Sequence, residues 1–203
     1  MQTSQYLRLG IMGLLIVALG CQSPPIQLPP ALVKPVTVSF DYATPDTIYT
    51  LSVDTTRYRP EPLPQAWYWF WHQQLLQSRQ GDYAGQLLHG EFIKQLRSGA
   101  TIQKGEFSWG LPEGYWRTWS VEGALVAAEE WKDGQRHGKA IYFDAAGQKL
   151  AEGEYRKGLK QGTWVERAPD GTYLTRAYKM GQEVIPEPEE ENDETAEATE
   201  GGK

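Results

Sequence analysis

Cysteine is almost missing from this chain: Cys21 is the only one in 203 residues, so no internal disulfide can hold the fold together even in an oxidising compartment. Long apolar runs are missing too. The uncharged stretch from Leu9 to Gly20 has twelve residues, about 18 Å as a helix against a bilayer core of about 30 Å, which fits a signal-peptide core and not a membrane span. Strong charge of one sign is absent from the body. The formal charge of −6 arises in the last stretch, where residues 183–203 carry nine acids against Lys203 and leave residues 1–182 at +2. A body so nearly neutral lacks the basic surface that phosphate backbones require, so nucleic acid is not an expected partner.

Catalytic patterns are equally scarce. No G-x-S-x-G, phosphate-cradling glycine loop or Cys–His pairing occurs, and those arrangements are what activate nucleophiles or hold phosphates. The three histidines are His72, His89 and His137. His89 and His137 stand two repeat periods apart, roughly 19 Å at two strands per period, too far to share a metal. Their position takes Glu113 and Gln161 in the neighbouring repeats, which reads as a polar turn-stabilising site. In strands Glu129 and Glu130 point oppositely, while Glu152 and Glu154 share a face with nothing evident to bury them. The reading is a protein that is not an enzyme, with no catalytic residue, cofactor, metal or small-molecule substrate.

Glycine, by contrast, is abundant and periodic. Gly90, Gly114, Gly138 and Gly162 are spaced by 24 residues; so are Gly99, Gly123, Gly147 and Gly171, and so are Gly110, Gly134 and Gly158, with Gly181 one residue early. A fixed period of this length marks a supersecondary unit stacked on copies of itself. Aromatic residues keep the same beat: Phe92, Trp116 and Trp164 follow the first series by two, with Ala140 in the remaining place, and Phe107, Trp131 and Tyr155 follow the second by eight. Each unit reads as strand, turn, strand, and a longer turn such as Lys132 to Gly138. Gly114, Gly123, Gly134, Gly138, Gly147, Gly158, Gly162 and Gly171 are the expected corners, since glycine adopts positive φ without steric cost. The fold class is all-β, an antiparallel meander of hairpins forming an elongated sheet. Trp116 and Trp119, three apart, require either a bulge or aromatics on both faces.

The flanks divide the rest. Residues 1–20 are a signal peptide, and Ala18-Leu19-Gly20-Cys21 resembles the bacterial lipobox, which implies cleavage before Cys21 and lipidation of its thiol. A proline-rich tether fills residues 21–35. Alternation of Val36, Val38, Phe40 and Tyr42, then of Tyr49, Leu51 and Val53, predicts an N-terminal β-hairpin. With its linker it covers 36–64, and it is placed to close the open edge of the repeat sheet. The repeat domain runs over 65–182. It opens with Trp67-Tyr68-Trp69-Phe70-Trp71, in register with a degenerate first repeat that lacks its turn glycine. The acidic stretch 183–203 is too charged and too poor in apolar groups to offset ordering entropy and is expected to be disordered.

The units Gly114-x-Trp116-x-x-Trp119-x-x-x-Gly123 and Trp131-x-x-Gly134-x-x-His137-Gly138 resemble MORN repeats, and within them the variant of bacterial YwqK-family antitoxins, many of them lipoproteins. The resemblance covers residues 90–181 and, loosely, 67–89. It implies an elongated antiparallel sheet and a non-catalytic module that binds a protein partner in a toxin-neutralising role; the lipobox, separately, implies anchoring on the outer side of a bacterial membrane through Cys21. Tyr115, Trp116, Trp119, Trp131 and Trp164 are the candidate binding surface to the extent that their rings are exposed, because aromatic anchors dominate interfaces. The alternative is an envelope structural lipoprotein whose sheet aromatics meet lipid or cell-wall glycan.

Overall fold

The computed structural model describes residues 35–185; the signal peptide, the lipidation expectation at Cys21, nearly all of the tether and most of the acidic tail lie outside them. The described residues form an antiparallel sheet of thirteen strands. β1 (Thr37–Ala43) and β2 (Thr47–Asp54) make the N-terminal hairpin, and β3 (Trp67–His72) and β4 (Leu75–Gln80) make a second. The repeat strands follow as β5 (Gln86–Leu96), β6 (Thr101–Ser108), β7 (Leu111–Trp119), β8 (Leu125–Lys132), β9 (Gln135–Phe143), β10 (Lys149–Arg156), β11 (Leu159–Arg167), β12 (Tyr173–Lys179) and β13 (Gln182–Val184).

Strand order along the sheet is β1-β2-β5 and then β6 to β13 in sequence. β2 therefore covers the edge of β5, pairing Leu51 with Phe92 and Val53 with Leu88, and the expected edge-closing role of the N-terminal hairpin holds. The aromatic segment at β3 does not take the place of a first repeat within the meander. β3 pairs with β4 and, through Phe70↔Leu87 and Trp71↔Gln86, with only the start of β5, so the second hairpin leaves the main path. Its rings explain why. Trp69, Trp71 and Leu76 pack against a core of Leu51, Val53, Leu88, Phe92, Phe107 and Trp116, and a strand this rich in rings buries more surface lying over a sheet than extending it.

The three glycine series do three different jobs. Gly110, Gly134, Gly158 and Gly181 close two-residue hairpins in which the preceding residue, Trp109, Asp133, Lys157 or Met180, also has positive φ. That is the type I′ turn, whose twist matches the flanking strands. Gly99, Gly123, Gly147 and Gly171 close the three-residue loops at the opposite end of the strands, each amide donating to the carbonyl three residues back, as in Gly123 N to Ser120 O at 3.0 Å.

Gly90, Gly114, Gly138 and Gly162 are not corners, contrary to the sequence expectation. They lie inside β5, β7, β9 and β11 at φ between +67° and +101°. Around each, the strand spends four residues where its partner spends two: Gln161 to Val165 faces Glu154 to Glu152, and Arg136 to Ala140 faces Trp131 to Glu129. They are β-bulges, which bend the strand and re-aim the next side chain. Gly114, Gly138 and Gly162 therefore belong to strand interiors, and the expected long turn from Lys132 to Gly138 contracts to Asp133–Gly134.

Candidate functional site

The bulges organise a row of rings along one face. Phe92, Phe107 and Trp116 stack mutually with centroids 5.1 to 5.6 Å apart, and Trp131 continues the row 6.5 Å from Trp116. Further along, Tyr155 stands 5.0 Å from Trp164, and Trp164 stands 6.4 Å from Tyr178. The bulges at Gly114 and Gly162 tip the following tryptophan flat onto the neighbouring strand, where only glycine leaves space. A Cβ on Gly105 would stand 2.2 Å from the Trp116 ring, and one on Gly153 would stand 2.3 Å from the Trp164 ring. Trp116 is 7% exposed and Trp164 0%. Their indole nitrogens donate to the carbonyls of Glu113 and Glu154 at 3.2 and 3.1 Å. These two expected anchors are packing residues.

At the repeat that carries Ala140, the facing residue is Glu129 in place of glycine. Its carboxylate fills the vacated space, accepting hydrogen bonds from Arg136 Nε and from Tyr142 OH. The Arg136 guanidinium bridges the break in the ring row, 5.3 Å from the Trp131 centroid and 5.6 Å from that of Tyr155. Burial works against its charge, yet the hydrogen bond and charge of Glu129 together raise its pKa above the ordinary arginine value. Burial, with the hydrogen bonds to Tyr155 and Glu129, likewise pushes the Tyr142 phenol up. The cluster is closed on itself.

A pocket of about 150 Å³ opens beside the second hairpin, lined by Trp69, Phe92, Gln103, Phe107, Pro112, Trp116 and Trp131. Trp131 is half-buried and its indole N–H has no acceptor among the described residues.

The opposite face is different. β7 advances without a bulge from Trp116 to Trp119, because the register shift there falls on β8, so the three-residue spacing sends the two rings to opposite faces. Tyr115, Arg117 and Trp119 share the face away from the ring row. Tyr115 is 70% exposed, while Trp119 is half-buried and in no ring pair. Beside Tyr115 lies a depression of about 130 Å³ lined by Arg117, Ala128, Glu130, Lys139 and Ile141 among others. Of the five expected surface rings, the structure keeps Tyr115 and Trp119 on one face and puts Trp116, Trp131 and Trp164 in the row on the other.

At three of the four bulges, those at Gly90, Gly114 and Gly162, the polar position before the glycine has a clear task. His89 Nδ1 accepts from the Trp109 amide at 3.3 Å, Glu113 Oε2 from Asp133 at 2.9 Å, and Gln161 Oε1 from Met180 at 3.1 Å. Each cap satisfies the first amide of the next type I′ turn. His89 also packs edge-on against Trp109 at 4.9 Å; burial lowers its pKa, with the Asp54 charge opposing. Sequence reasoning found this position but not its acceptor role.

These features define an open antiparallel repeat sheet with one ring-packed face and one polar face. The MORN repeat model matches residues 104–115, 130–149 and 152–173, which fall on β6 to β12, so the chain carries MORN repeats. No curated protein matches the chain.

Proposed function

We propose that this MORN-repeat sheet is a non-catalytic binding module, lipid-anchored through Cys21 on the outer side of a bacterial membrane, that docks another protein in the manner of a toxin-neutralising antitoxin or immunity protein. The observation that carries the reading is Tyr115. Seven rings of the repeat strands are packed into the row, yet this one stands 70% exposed on the polar face, among Arg117, Glu130 and Lys139 at a shallow depression. An exposed tyrosine ringed by charged groups is the composition of an interface hot spot. Glycan stacking is less well supported, because Trp116 and Trp164 have no free ring face.

The test is a photo-crosslinking residue at position 115 in the full chain, in its native envelope. The expected result is one discrete protein adduct, absent when the same group replaces Tyr173 and lost on Arg117→Glu. Equal adducts from both positions would refute the docking face. Cys21→Ser tests the anchor separately: the chain should leave the membrane fraction, and retention there would refute lipid anchoring at this residue.

A further inference from the structure

The two long edges of the repeat sheet differ in charge. The type I′ turns carry Lys132, Arg156, Lys157 and Lys179 with Asp133 alone opposing, whereas the three-residue loops at the other end mix Arg97 with Glu122 and Asp170. Near the C-terminal end of that basic edge, a cavity of about 410 Å³ is lined by Arg156, Lys157, Leu159, Gln161, Lys179 and Met180. Its walls are the last two type I′ turns, held together by the Met180 amide donating to Gln161 Oε1 at 3.1 Å. Its apolar part is unusually bare, with Met180 71% exposed and Leu159 44%. Among the described residues, the ion pairs of this half of the sheet use Lys139, Lys149, Lys160, Arg167 and Arg176 and leave Arg156, Lys157 and Lys179 without a carboxylate.

We propose that this groove is the docking site of the chain's own acidic segment, Pro186 to Glu194. Charge and reach both favour that occupant. Pro186-Glu187-Pro188-Glu189-Glu190-Glu191-Asn192-Asp193-Glu194 carries six carboxylates and no cation. β13 runs away from the Met180–Gly181 turn and pairs as far as Val184, so the chain beyond Ile185 starts about four residues, roughly 13 Å, from the groove. Pro186 and Pro188 cannot continue the ladder, which favours a reversal there. In the proposed docking the proline rings would cover Leu159 and Met180, and Glu189 to Glu191 would reach Arg156, Lys157 and Lys179. A tether this short gives an effective concentration on the order of millimolar, so modest pairing suffices to keep the basic edge occupied. The tail thereby acts as an internal competitor for any other anion at this end of the sheet.

Zero-length carbodiimide crosslinking of the full chain, in an equal mixture of ¹⁴N and ¹⁵N protein, tests the assignment. Crosslinks from Glu189–Glu194 should fall on Lys157 and Lys179 at least about threefold more often than on Lys104, Lys132 and Lys139, which are also exposed. They should stay within one isotope and disappear in 1 M salt, where the Debye length is about 3 Å. Lys157→Gln with Lys179→Gln, checked for an unchanged circular dichroism spectrum, should not transfer the tail to Lys132. Crosslinks spread evenly over exposed lysines, or joining the two isotopes, would overturn the proposal; the second pattern would mean that a neighbouring copy takes the groove.

Discussion

Gly153→Ala probes the contact on which the ring row depends. Gly153 is not among the glycines with positive φ, so alanine is tolerated by the backbone and the whole effect is steric. The added Cβ would stand 2.3 Å from Trp164 Cδ2 and 2.5 Å from its Cγ. The indole cannot give way easily: it is fully buried, its nitrogen is bonded to Glu154 O, and Lys160 lies over its ring at 4.4 Å. Overpacking of this kind costs about 1–3 kcal/mol, offset by about 0.4–1 kcal/mol from the stiffer unfolded chain, for a net loss of about 1–2 kcal/mol. Trp164→Ala alone should cost about 3–5 kcal/mol. With that tryptophan gone, Gly153→Ala should become neutral or slightly stabilising, a coupling of about 1.5–3 kcal/mol. Urea unfolding followed by far-UV circular dichroism gives all four corners of the cycle. Gly147→Ala is the control, since nothing lies within 4 Å of its Cβ while φ is +77°; its cost is backbone strain and should add to that of Trp164→Ala. If Gly153→Ala costs the same with and without Trp164, the ring-on-glycine account is wrong.

The same reasoning predicts that Ala140→Trp destabilises, because Glu129 occupies the space, and that Glu129→Gly strands Arg136 and Tyr142. Combined, the two changes rebuild the pairing seen at Trp116 and Trp164, so the double variant should unfold at higher urea than either single one. For His89, the folded pKa lies below the unfolded value of about 6.5, so the unfolded chain binds more protons below that pH and stability falls as pH falls. His89→Gln keeps an acceptor for the Trp109 amide and should lose less between pH 7 and pH 5 than the parent, read from urea midpoints; equal losses would clear His89 as the source. The β3–β4 turn uses Gln73 and Gln74 at φ +51° and +62°, where Asn-Gly is favoured. Gln73→Asn with Gln74→Gly should therefore raise stability by about 0.5–1 kcal/mol, and an unchanged or lower midpoint would contradict the turn assignment.

Much of this architecture was legible because glycine marks the backbone so strictly. Three series of one period predict stacked hairpins, and alternation at Val36–Tyr42 and Tyr49–Val53 predicts the hairpin that pairs with β5. Positive φ alone, however, does not distinguish a corner from a bulge. Gly114, Gly138 and Gly162 read as turn residues for that reason, though the two residues added to the strand at each bulge are what lay the following tryptophan flat. The exit of β3 from the meander was also hidden, since Trp67 to Trp71 fit the repeat register and only competition for buried ring surface sends them over the sheet. The candidate site was legible as a set of aromatics but not as two faces. Whether Trp116 and Trp119 diverge depends on which strand carries the irregularity, and that is decided at the three-residue loop of Gly123, not at either tryptophan.

Ala140 looks like a lapse in the repeat when its own strand is read alone. Across the pair it is half of an exchange: tryptophan faces glycine at Trp116–Gly105 and Trp164–Gly153, and alanine faces glutamate at Ala140–Glu129. The unit under constraint is thus the volume shared by two strands, filled once by an indole and once by a carboxylate with its arginine. This also accounts for how the sheet continues past the second hairpin, whose Trp69 lines one pocket with Trp116 and Trp131. Beyond that point the rings find their cover within the sheet: Gly153 beneath Trp164, and cations above the row, with Arg136 over Trp131 and Tyr155 and Lys160 over Trp164 and Tyr178. A long aliphatic stem over an aromatic face excludes water while its charge stays near solvent. The repeats that hold Arg136 and Lys160 thereby bring their own lids, so this end of the array can lengthen by whole units without a second layer growing alongside it.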